Sequence, residues 1–84
     1  KLFRAGARRN KLIGLWAAEL LGKSGADADA YAKEVILADF EEAGDDDVLR
    51  KLVADLAGKA DADTIRAKMN ELLAEAKQQI AREG

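Results

Sequence analysis

The stretch "LLGKSGADADAY", residues 20–31, contains a Gly-Lys-Ser triplet at Gly22, Lys23 and Ser24. Such a triplet closes the phosphate-binding loop of nucleotide hydrolases, where a strand leads through G-x-x-x-x-G-K-[ST] into a helix. Read that way, the chain is an α/β nucleotide-binding protein. Read as the end of a helix, the same letters make it all-helical. Spacing decides between the two. The first glycine of the loop would fall at position 17, which is Ala17. The residues before Gly22 are nearly continuously apolar and carry no strand-like alternation, so no loop of backbone amides is set up around a phosphate. Gly22 suits the position just past a helix end, where a left-handed backbone needs the absence of a Cβ. Lys23 then brings a cation to the negative end of that helix.

Working outward from this break, four helical segments separate: roughly 2–21, 27–43, 46–57 and 62–82. Between residues 12 and 21 only Gly14 and Glu19 interrupt an apolar run, and a helix apolar nearly all round belongs in the middle of its neighbours. Asp27 is the expected N-cap of the second helix, with Asp29 in its first turn. Ala28, Tyr31, Ala32 and Val35, with Ala38 or Phe40, form its buried stripe at helical spacing. The third helix opens on Asp45, Asp46 and Asp47 and carries Val48, Leu49, Leu52, Val53 and Leu56. The fourth starts near Asp61 or Asp63 and carries Ile65, Met69, Leu72, Leu73, Ala76 and Ile80. Short connections make sequential helices antiparallel. The fold expected is an all-α, compact four-helix bundle, with a short third helix that leaves room for irregularity.

Composition agrees. The chain has 84 residues, 36% of them charged, with no Pro, Cys or His. One small domain with a thin core is what that length allows. Without Cys or His there is no thiolate or imidazole for a metal or a nucleophile, and Ser24 has no obvious base. Asp27 and Asp29 imitate the first ligands of a calcium loop, but Tyr31 and Ala32 stand where a ligand and the obligatory glycine belong. The three aspartates at 45–47 suit a helix start better than a cation site. The chain therefore reads as a non-enzyme with no cofactor and no metal site. No apolar run reaches the length of a membrane span.

Charge is uneven. Residues 1–11 hold Lys1, Arg4, Arg8, Arg9 and Lys11 and no acid. Arg4, Arg8 and Lys11 share one helix face. Nucleic acid is one partner for such a face, but the net charge is −2 and Phe3 is the single interleaved aromatic, which argues against it. An internal role is favoured: with helices one and two antiparallel, Arg4 and Arg8 meet Asp39, Glu41 and Glu42. Cations at a helix start oppose the macrodipole, and no capping residue precedes Leu2. The native helix is therefore expected to continue upstream of Lys1. Gly14 costs about 1 kcal/mol against Ala inside a helix, which a close helix crossing explains, or a partner's approach beside Trp16.

Three stretches resemble one family. "ARRNKLIGLWAAELLGKSG" (7–25) and "AYAKEVILADFEEAGDDDVLRK" (30–51) are similar to the zeta subunit, the ATPase inhibitor of α-proteobacterial F-type ATP synthases. The runs 14–19 and 38–44 are the most specific parts, and "IRAKMNELLAEA" (65–76) matches the last helix more loosely. Residues 54–64 depart most, where family members tend to be longer. The resemblance implies a four-helix bundle that blocks ATP hydrolysis by the catalytic head. It also implies an N-terminal inhibitory segment, flexible when free and helical when wedged between catalytic and rotor subunits, at an entropy cost that new contacts must exceed. The present residues would then be the globular anchoring domain. The implied protein is cytoplasmic, a monomer when free, and peripheral to the inner membrane through the synthase.

Arg4, Arg8, Arg9, Asn10 and Lys11 are the expected partner contacts, being polar, clustered and near the arm; Gly14 and Trp16 follow. A rival expectation is a sensor bundle that binds an adenine nucleotide weakly, with a cation near Trp16 or Tyr31 holding the phosphate. A nucleic-acid module on the basic face is the remaining alternative.

Overall fold

The computed structural model describes residues 2–38 and 46–83, with side chains from 5–38 and 47–83. Four helices run in order: α1 Leu2–Leu20, α2 Ala26–Ala38, α3 Asp46–Asp55 and α4 Ala62–Glu83. No strand occurs among the described residues. The predicted stretch 39–43 of the second helix lies outside them, as do Phe40 and the acids Asp39, Glu41 and Glu42.

The Gly-Lys-Ser triplet is a helix stop. Gly22 has φ +79°. Its N–H donates to Glu19 O at 3.1 Å, and the Lys23 N–H donates to Ala18 O at 2.8 Å. That pair of bonds is a Schellman motif, which satisfies carbonyls the helix leaves open.

Two boundaries differ from expectation. Gly25, at φ +56°, takes the N-cap position of α2, because its carbonyl accepts the first helical bond from Asp29 N at 3.1 Å. Asp27 is therefore not the cap. It lies with Asp29 in the first turn, where both carboxylates face the positive end of the helix. α3 ends at Asp55 rather than at 57. Leu56 still donates to Leu52 O at 2.8 Å, and Gly58 then turns the chain at φ +82°. Asp61 caps α4, accepting from Thr64 N at 2.7 Å.

The core draws on every helix. Ile13, Ala17 and Ala18 come from α1, Tyr31 and Val35 from α2, Val48 and Leu52 from α3 with Leu56 just beyond it, and Ile65, Met69 and Leu72 from α4. Leu49 is partly buried against this cluster. Val53 is not core: it is 38% exposed. The buried stripe of α3 runs at i, i+4, i+8 through Val48, Leu52 and Leu56, and Val53 faces away from it.

Residue pairs fix the directions. Arg8 meets Gln79 and Glu83, whereas Trp16 lines one surface groove with Thr64, Ala67, Lys68 and Glu71, so α1 and α4 are antiparallel. Tyr31 meets Asp55 and Glu34 meets Lys51, so α2 and α3 are antiparallel as well. α1 packs on α2 and α4, and α3 packs on the same two helices. With α1 and α2 joined by the short connection 21–25, which makes them antiparallel, the result is an up-down-up-down bundle. Its Cα radius of gyration is 12.1 Å, close to the roughly 12 Å expected of a compact chain this long.

Candidate partner-binding surface

The predicted contact set lies on α1, and burial divides it. The backbone of Arg4 is helical, and its side chain lies outside the described residues. Arg9 is 3% exposed and Asn10 is 1% exposed. The Arg9 Nε donates to Asn10 Oδ1 at 2.8 Å. These two are interior groups. Neighbouring polar letters therefore split between two helix faces, since successive residues on a helix stand about 100° apart. Lys11 is exposed and Arg8 is half-buried.

The acids expected to pair with Arg8, Asp39, Glu41 and Glu42, lie outside the described residues; among the described residues Arg8 meets α4. Its Nη1 donates to Gln79 Oε1 at 2.8 Å and to Glu83 Oε2 at 2.7 Å. Its Nη2 donates to Glu83 Oε1 at 3.0 Å. The two bonds to Glu83 form a bidentate guanidinium–carboxylate pair, the most directional of ion pairs. The hydrogen bonds it donates to Glu83 raise the Arg8 pKa above its ordinary value, against a smaller opposing effect of desolvation.

Gly14 is buried in a helix crossing. A Cβ placed there would lie 2.8 Å from the Ala32 Cα and 3.2 Å from the Ala32 Cβ. The packing explanation of this glycine thus holds, and the α2 backbone occupies the space a partner would need. Trp16 is partly buried against the core. It forms one wall of an open surface groove of about 320 Å³, with Thr64, Ala67, Lys68 and Glu71 of α4 around it. Lys68 pairs with Glu71 at 2.6 Å.

A second polar cluster joins α2 to α3. The Tyr31 hydroxyl donates to Asp55 Oδ2 at 2.7 Å. Lys51 Nζ lies 3.0 Å from the same Asp55 oxygen and 3.4 Å from Glu34 Oε1. Its ammonium stands 5.2 Å from the centroid of the Tyr31 ring, within cation–π range. Burial and the Asp55 carboxylate push the Tyr31 pKa well up. Desolvation raises Asp55, but the bonds from Tyr31 and Lys51 together outweigh it, and its pKa is lowered. A phosphate brought to Lys51 would meet two carboxylates. The cation beside Trp16 is likewise paired with an acid.

Sequence reasoning missed Gln79, Glu83, Lys51 and Asp55. Lys51 and Asp55 stand at i, i+4, a readable signal. Their partners on other helices follow only once the register of the bundle is known. Among the described residues no group of three or more acids could hold a metal ion, and no helix is long and apolar enough to cross a membrane.

A family model described as ATPase inhibitor subunit zeta matches residues 1–79. A protein with a structure determined by solution NMR is 58% identical. The alignment covers 98% of this chain and 96% of that one, with a TM-score of 0.89. No curated protein matches the chain.

Proposed function

The chain belongs to the ATPase inhibitor subunit zeta family, and from that premise we propose that it is a regulatory subunit restraining ATP hydrolysis by the catalytic head of an F-type ATP synthase. The observation that carries this reading is the extent of the family match, which takes in all of α1, α2 and α3 and most of α4. An inhibitor-subunit family suggests a regulatory role rather than a catalytic one. On this reading the bundle is the anchor, and inhibition is delivered from its N-terminal side, where α1 begins without an acid in its first turn. A partner surface of opposite charge would complete that helix end.

Within the anchor, the accessible contacts are Lys11 and the Trp16 groove, with Arg4 near them in sequence. Trp and Arg are enriched among residues that dominate interfaces. On this reading the protein is a monomer when free, is cytoplasmic, and reaches the inner membrane through the synthase. It needs no cofactor.

Calorimetric titration of this 84-residue chain into the isolated catalytic head tests the anchoring claim. Saturable binding, weakened by Lys11→Glu and by Trp16→Ala, is the expected result. Absence of binding at micromolar concentrations overturns the anchor assignment.

A further inference from the structure

The start of α1 is held to the bundle at two kinds of contact. The Gly14–Ala32 crossing fixes the middle of the helix by backbone approach. Two turns nearer the N-terminus, one guanidinium makes three hydrogen bonds to the last two turns of α4. This second contact joins positions 75 residues apart in sequence, and it ties the first helix at its beginning to the last helix at its end. Ala5 is also buried there, at 5% exposure, but it is small and offers little directional restraint. The polar clamp fixes direction. A bidentate carboxylate and an amide oxygen allow the planar guanidinium one orientation.

Its contribution to global stability is small, because the Arg8 side chain is 30% exposed and that of Glu83 is 44% exposed, and exposed pairs contribute little. A contact this conspicuous and this inexpensive to lose acts locally, on the angle at which α1 begins.

We infer that the Arg8–Gln79–Glu83 clamp is a positioning device: it sets the direction in which the N-terminal turns of α1 leave the bundle, and so the efficiency with which the anchored protein inhibits. This rests on the inhibitory reading above. Arg8 and Glu83 act through the helix they orient.

The test uses the full native protein and the catalytic head, with inhibition and binding measured separately. Glu83→Gln and Arg8→Gln are expected to raise the concentration for half-inhibition about fivefold, the scale of one good ion pair. Arg8→Lys, which keeps the charge but loses the fork, should show an intermediate loss. The charge exchange Arg8→Glu with Glu83→Arg should recover most of the potency, and thermal melting should stay within about 3 °C of the parent throughout. A parent that inhibits while the single variants match it overturns the clamp alone. A parent that does not inhibit overturns the functional reading and the clamp's role with it. Single variants that melt far lower, with no recovery in the exchange, make the contact a structural one and also overturn the proposal.

Discussion

Gly14 shows how much a single position states in advance. A glycine inside a helix costs about 1 kcal/mol against alanine, so its presence in an apolar helix announces a close neighbour. The neighbour is Ala32, whose Cα would lie 2.8 Å from an added Cβ. Gly14→Ala is therefore expected to destabilise by about 1–3 kcal/mol, as overpacking does, where an open helix would gain from the same change. The midpoint of urea unfolding checks the sign. Tyr31 was legible as a core residue, being 6% exposed, but its hydroxyl partner was not. Asp55 lies 24 positions away and on another helix, so only the α2–α3 register brings them together. Tyr31→Phe should cost about 1 kcal/mol and should let the Asp55 pKa move back up, which carboxyl titration by NMR would record.

The helices themselves were legible from apolar periodicity, and their ends only partly. Gly22 announced its role, because a C′ glycine answers a local backbone need that the sequence displays; the start of the last helix was narrowed to Asp61 or Asp63, and Asp61 is the cap. Asp27 misled for an equally local reason: an acid favours both the cap and the first turn, and Gly25 took the cap. Val53 fits an apolar helical pattern, yet a helix as short as α3 offers its neighbours a narrow stripe, filled by Val48, Leu52 and Leu56. The capping bond at Asp61 gives a pH prediction. Hydrogen bonding to Thr64, the backbone bond first, lowers the Asp61 pKa. A depressed carboxylate pKa means stability that is fully present above the unfolded value and lost as pH falls through the folded one. Asp61→Ala should lower the melting temperature by about 5 °C at neutral pH. That gap should narrow in acid, once Asp61 of the parent is protonated; a gap independent of pH would refute the charged cap.

For the molecule as a whole, fold and family were open to reading, whereas the contact surface was only half so. The two specific motifs, residues 14–19 and 38–44, carried the family, and the family model covers residues 1–79. The clustered polar letters Arg8, Arg9, Asn10 and Lys11 look alike in sequence, but a helix turns Arg9 and Asn10 into the interior and leaves Lys11 outside. Which letter faces in depends on where α2 and α4 lie, and that is a property of the packed bundle. The central claim is that this bundle belongs to an inhibitor of ATP hydrolysis. The most direct test is the steady-state hydrolysis rate of the cognate catalytic head, titrated with the full native protein against an equal amount of the same protein carrying Leu52→Ala and Ile65→Ala. Those two truncations of fully buried side chains cost about 2–5 kcal/mol each and should unfold so small a domain. A rate that falls saturably with the native protein and not with the unfolded variant is the predicted result. An unchanged rate with both, at protein concentrations well above that of the head, would contradict the claim.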